Sequence, residues 1–221
     1  MIRDRDLLQI HENSDLSHNL NVYIWQHLFD ADQLLSWTKN NFPEITIEDY
    51  SDLCPKRMIE RLSVQDMLNQ ILSQNSTLQH KENGAPYILH NDIHISISHT
   101  RNTYGVSLSK DLVHGIDIEK WGTKALQVAS MFIHPDEETL FSELSNWGHK
   151  EQIATLMWSA KESIYKLLEI SGLSFRDDIK LSFVEGNRLK AEISRFQIFS
   201  TVYFQTFTDF IFTCAVSTNS R

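Results

Sequence analysis

Two carboxylates lie two residues apart in the stretch VHGIDIEKW, Val113 to Trp121. Read as a strand, it puts Val113, Gly115, Asp117 and Glu119 on one face and His114, Ile116 and Ile118 on the other, because side chains alternate. Like charges so placed repel, and a carboxylate that leaves water requires a cation or a donor. A third carboxylate lies in the later run KEQIATLMWSAKESIYKLLEI. There Ile153, Leu156, Met157, Ala160, Ile164, Leu167 and Leu168 form an apolar stripe at helical spacing, and Glu162 and Lys166 fall almost opposite it. Alone, such a pair is a solvated i,i+4 contact worth ~0.3 kcal/mol. Trp158 and Tyr165 share its sector, and two aromatics are poor company for a solvated face. A face that is polar, aromatic and charged reads as the wall of a cleft.

Asp117, Glu119 and Glu162 together supply three hard oxygen ligands of the kind Mg²⁺ takes alongside waters and substrate phosphates. Lys161 and Lys166 beside them would meet the phosphate oxygens that a metal leaves uncovered. On spacing alone, Asp117 and Glu119 read first as a strand-end pair facing water, and it is the combination with Glu162 that favours a metal. A competing metal reading groups His90, His94, His99 and His114. It lacks closed zinc spacing and thiolate partners.

These residues need elements to position them. A strand is expected at NVYIWQH, and helices at DADQLLSWTKN and PKRMIERLSVQDMLNQIL, where Pro55 suits a first helical position and Ile59, Leu62, Met67 and Ile71 recur at roughly helical spacing. The turn signal ENGAPY precedes the strands DIHISISH, YGVSLS and VHGIDIE. The order then repeats in outline: a short helix opened by Thr123, a segment started by Pro135, the long helix, and strands at IKLSFVEG, RLKAEIS and TVYFQTFTDFIFTCAVS, the last turning at Thr208 and Asp209. Helices followed by a small antiparallel sheet, twice over, predict an α+β fold of two similar halves in a pseudo-two-fold arrangement, residues 1–112 and 113–221, the second carrying the metal site. No repeat is visible in the sequence itself, so this rests on element order.

At 221 residues and 41% hydrophobic, the chain can bury a sizeable core. Its net charge of −9 argues against nucleic acid as a partner. No basic amphipathic helix, signal-peptide core or spanning apolar run is evident, so a cytoplasmic protein without membrane contact is expected. Cys54 and Cys214, without CxxC spacing, indicate neither a disulfide framework nor a thiolate zinc site.

GIDIE followed by WSAKESIYK resembles the signature of the 4'-phosphopantetheinyl transferases, Gly-(Ile/Val)-Asp and then (Trp/Phe)-Ser-x-Lys-Glu-(Ala/Ser)-x-x-Lys. ISISHT, NGAPY and SGLS resemble flanking segments of that family, so the likeness spans roughly residues 55–175. The length is similar to the larger, surfactin-synthetase-activating type, in which two related halves share one chain. The resemblance implies transfer of phosphopantetheine from coenzyme A to a serine of an acyl, peptidyl or polyketide carrier protein by a Mg²⁺-dependent monomer. It implies Asp117, Glu119 and Glu162 as metal ligands, Glu162 as acceptor of the serine proton, and Lys166 as a phosphate contact that stabilises the leaving group. Ser98 and His99 match positions that touch nucleotide phosphates. Both reach one ligand only if the strand ends or bends at His99. Gly84 and Pro86 fall in the Gly-Lys-Pro segment.

The chain departs from that pattern in charge. Ala85 stands where the family has a lysine, Gln65 where the long helix carries an arginine, and no basic residue occurs between Asn40 and Pro55. Arg61, with Lys56 or Arg57, is the expected substitute. A module that binds coenzyme A or a carrier without turnover is the alternative reading, and a different metal-dependent phosphoryl-transfer enzyme is a third. Carrier docking is expected from an apolar contact, because two acidic proteins gain nothing from net charge; Trp121, Leu126, Met131 and Phe132 are the candidates, the last three being equally readable as core residues.

Overall fold

A computed structural model describes residues 7–9, 20–41, 43, 53–72 and 77–217. Along the chain come β1 (Leu7–Gln9), β2 (Asn21–Gln26), α1 (Ala31–Asn41), α2 (Pro55–Leu72), β3 (Leu78–His80), β4 (Pro86–Ile88), β5 (His94–Thr100) and β6 (Thr103–Ser109). Then follow β7 (His114–Lys120), α3 (Lys124–Gln127), α4 (Thr139–Glu143), α5 (Lys150–Leu168), β8 (Ile179–Glu185), β9 (Arg188–Ile193), β10 (Ile198–Thr206) and β11 (Phe210–Ser217). The fold is α+β with small antiparallel sheets. One has the order β1-β2-β6-β5, a second β7-β11-β10-β9-β8, and β3 and β4 form a separate hairpin.

Each main sheet packs against one long helix. In α5 the apolar stripe is buried as its spacing requires, with Ile153, Leu156, Met157, Ala160 and Ile164 at most 1% exposed. The stripe read for α2 is only part of its buried surface. Leu62, Val64, Met67 and Leu68 are buried while Ile59 and Ile71 are only partly so, because α2 contacts both α1 and β6. A helix covered on more than one side loses the single clean stripe on which periodicity depends.

The two sheets meet at their edges. Strand β7 pairs with β11 on one side, and on its other side the Ile116 and Ile118 amides donate to the hydroxyls of Ser96 (2.9 Å) and Ser98 (3.1 Å) on β5. Two serines at alternate positions thus satisfy donors that a sheet edge would leave unpaired. Leu20, Val22 and Ile24 from one sheet and Ile116, Ile118, Phe210, Phe212 and Cys214 from the other form a core cluster at this junction. Each such buried side chain contributes about 1.5–3 kcal/mol.

Strand β5 runs on through Thr100, paired with Thr103. One local expectation is corrected: Thr123 precedes α3 but its side chain makes no capping bond. Between the two readings of the following segment, Phe132, 1% exposed, is a core residue, whereas Met131 is 74% exposed. Most of the segment between Asn40 and Pro55 lies outside the described residues. Among the described residues, no helix is long and apolar enough to cross a membrane.

Candidate active site

The site is built where α5 crosses β7. A Cβ on Gly115 would fall inside contact distance of the Ser163 carbonyl oxygen and the Leu167 amide, so glycine lets the helix backbone press directly onto the strand. That approach brings Lys166 to Asp117. Lys166 Nζ donates to Asp117 Oδ1 at 2.8 Å and to the Ile116 carbonyl at 3.0 Å. Ser98 Oγ donates to the same Oδ1 at 2.8 Å while accepting from the Ile118 amide. Asp117 Oδ2 is buried and has no partner among the described residues.

Glu119 and Glu162 flank this pair. Trp158 Nε1 donates to Glu119 Oε1 at 2.9 Å, which accounts for an aromatic on the polar sector of the helix. Burial first, then the charges of Asp117 and Glu162, push the Glu119 carboxyl up to about 7 against the opposing Trp158 hydrogen bond. Glu162 is likewise raised, by burial and then by Asp117, with Lys166 opposing. These shifts are those of carboxylates crowded together at partial burial. Even so, among the described residues no three His, Cys, Asp or Glu side chains are gathered as a ready ligand set. Lys166 holds one oxygen of Asp117 and Trp158 one of Glu119, so a cation would share each carboxylate with an internal partner. The donor chemistry suits a hard cation all the same, and Asp117 Oδ2 is the oxygen that would hold it.

Lys161 is not part of this corner. Its Nζ is buried and reaches Glu137 Oε2 (2.6 Å) and the carbonyls of Phe132, Phe175 and Ile179 (2.8 Å each). Desolvation lowers its pKa, Glu137 opposing. One residue along a helix turns the side chain by about a hundred degrees, so the neighbour of Glu162 points into the core. Ser98 is also 5% exposed and committed to Asp117.

The remaining binding residues do converge. Arg57, Arg61, Gly84, Pro86, His99 and Lys166 line one cleft of about 560 Å³, bounded by α2, the β3–β4 hairpin, β5 and the end of α5. That volume is in the usual range for small-molecule sites. His99 Nε2 lies 3.8 Å from Glu60 Oε2, and desolvation lowers its pKa while Glu60 opposes. Arg57 also pairs with Glu60, at 3.3 Å. Lys56, with 88% of its side chain exposed, does not line the cleft, and neither does Gln65. Sequence reasoning missed His80 and Lys81 as cleft residues, although both adjoin ENGAPY and are readable as its flank; Tyr165 lines the cleft as its sector on α5 predicts. Trp121, expected at a docking face, is only partly exposed and donates to the Phe207 carbonyl at 2.8 Å.

Residues 114–215 match the family model described as the 4'-phosphopantetheinyl transferase superfamily. No curated protein matches the chain. The matched span runs from β7 through α5 to β11 and holds Asp117, Glu119, Glu162 and Lys166. On that match residues 114–215, just under half of the chain, are similar to the 4'-phosphopantetheinyl transferase superfamily.

Proposed function

We propose that the protein is a holo-carrier-protein synthase that moves 4'-phosphopantetheine from coenzyme A to a serine hydroxyl of an apo carrier protein, with Mg²⁺. The observation that carries this reading is one continuous cleft. Arg57 and Arg61 of the first half line the same cavity as Lys166, and Lys166 bonds Asp117. A polyanion laid along those cations reaches the carboxylate corner. Both walls come from one polypeptide, as in the larger type of the family, so a monomer suffices.

In this reading Asp117, Glu119 and Glu162 hold the metal, which when bound balances charge on the pyrophosphate. The serine oxygen forms a bond to the phosphorus that carries pantetheine. The bond from that phosphorus to the bridging oxygen breaks, and adenosine 3',5'-bisphosphate leaves. Glu162 takes the serine proton, directly or through water, and its raised pKa brings its basicity closer to neutral pH. It serves as base only to the extent that its carboxylate is not engaged as a ligand. Lys166 faces the charge that grows on the leaving phosphate. Ser98, fixed by the Ile118 amide, holds Oδ1 of Asp117 and leaves Oδ2 for the cation.

Mass spectrometry of an apo carrier protein incubated with this protein, coenzyme A and Mg²⁺ tests the reading. The carrier should gain one phosphopantetheine, and excess chelator should prevent the gain. Transfer that persists in chelator removes the metal role. Tight coenzyme A binding without any gain would instead identify a binding module that does not turn over.

A further inference from the structure

The β3–β4 hairpin and the end of α5 come from different halves of the chain, yet side chains join them at the rim of the cleft. Lys81 Nζ donates to Glu169 Oε2 at 2.7 Å and to Oε1 at 3.0 Å. Asn83 Nδ2 donates to the Glu169 carbonyl at 3.2 Å. Glu169 ends α5 in the left-handed region, φ 53°, where a residue with a Cβ is uncommon. The result is a clip from the hairpin tip to the helix terminus.

The cleft cations differ in how firmly they are held. The Asp117 partner of Lys166 has 6% of its side chain exposed, and the Glu60 partner of Arg57 has 13%. The Glu169 partner of Lys81 has 37%, and Lys81 itself 48%. A pair that exposed is screened by salt and contributes little, so an anion of higher charge displaces it readily. Lys81 also lines the cleft. It is a cation already facing a ligand cavity, restrained by a partner that can be exchanged.

We propose that Lys81 binds the phosphomonoester of an incoming nucleotide, and that the Lys81–Glu169 clip is exchanged for that contact on binding. The assignment rests on the coenzyme A reading. Lys166, at the carboxylate corner, meets the reacting pyrophosphate. Lys81, entering from the other half, meets the 3'-phosphate. The hairpin supplies an internal control. The Lys81 amide donates to the Ala85 carbonyl across the turn at 2.8 Å, and Ala85 lines the same cleft, so a lysine moved from 81 to 85 still reaches the ligand.

Titration calorimetry with adenosine 3',5'-bisphosphate and with adenosine 5'-phosphate, in Mg²⁺, tests this. Wild type should prefer the bisphosphate. Lys81→Ala should weaken the bisphosphate about tenfold, the loss of one charge-assisted contact, and change the monophosphate by less than about twofold. Adding Ala85→Lys to Lys81→Ala should restore the preference, and Glu169→Gln should tighten the bisphosphate about threefold by removing the competing carboxylate. A Lys81→Ala variant that melts like wild type and keeps its full preference overturns the assignment, as does equal weakening of both nucleotides. If wild type binds neither nucleotide, the coenzyme A reading fails and this one with it, a result distinct from loss confined to the variant.

Discussion

Helix α2 spans 18 residues and α5 spans 19, and each sinks one ionisable side chain into a core. In α5 it is Lys161, satisfied by Glu137 and three carbonyls that belong to separate loops and a strand. In α2 it is Asp66. Its Oδ2 accepts from Thr38 Oγ1 at 2.8 Å, its Oδ1 has no partner among the described residues, and burial pushes its pKa up to about 7. In both, burial favours the neutral form, but Lys161 meets an opposing charge in Glu137 and ties segments together, whereas Asp66 meets only the Thr38 hydroxyl. The cleft-facing sides differ as well. Helix α2 offers Arg57 and Arg61 to a ligand, and α5 offers Tyr165 and Lys166, with Glu162 raised in pKa by burial and by Asp117 behind them. On the proposed function the first helix recognises and the second reacts, and it is the reacting helix that is pinned most firmly from behind.

The sharpest way to break that contrast is Glu162→Ala. Transfer should fall by about 10²-fold or more, the scale of a lost acid–base group, while the melting temperature stays within a few degrees, since one of three crowded carboxylates has been removed. Holo-carrier formation alongside thermal denaturation measures both. Near-normal transfer would move the chemistry away from α5.

Lys161→Met should destabilise the fold by about 3–5 kcal/mol, because Glu137 is left buried and uncompensated. Adding Glu137→Leu should recover much of the loss in urea denaturation. Failure to recover would show that the carbonyl contacts, rather than the ion pair, carry the anchoring. Gly115→Ala should cost about 1–3 kcal/mol, as the helix must retreat from the strand. Activity should fall more than stability, because Lys166 retreats with the helix.

The smallest effect belongs to Asp66. Its folded pKa lies above the unfolded value of 3.8, so between there and about 7 the native state binds more protons than the unfolded state. Its contribution to stability is therefore present at low pH and lost as pH rises through about 7. Asp66→Asn should shrink the fall in unfolding free energy between pH 5 and pH 8. Burial lowers His27 to about 4, which acts in the opposite direction, but it is common to both proteins and cancels in the difference. An unchanged pH dependence would mean that Asp66 is not the group that titrates.

Much of the arrangement was readable beforehand because it depends on local rules. The helix expected at PKRMIERLSVQDMLNQIL coincides with α2, Pro55 opening it, and the final run divides into β10 and β11 around Thr208 and Asp209. Alternation put Asp117 and Glu119 together, and helical spacing put Tyr165 and Lys166 on the cleft side of α5. Where the structure departs from local expectation the cause is shared. Adjacency to Glu162 predicts a phosphate contact for Lys161, but its partners lie 14 to 29 positions away in the chain. The family likeness points Ser98 at a phosphate, while its hydroxyl bridges to Asp117 and Ile118 of another strand.

The sequence by itself determined the periodic elements, the acidic and basic residue types of the site and the family resemblance, since each depends on spacing within a short window. Only the tertiary structure decided that two sheet edges meet through Ser96 and Ser98, that Gly115 admits α5 to its strand, and that Lys81 faces Glu169 across the rim of the cleft. Those contacts join residues far apart in sequence, and no local pattern encodes them because their energies arise only once the chain has brought distant backbones to within hydrogen-bonding distance.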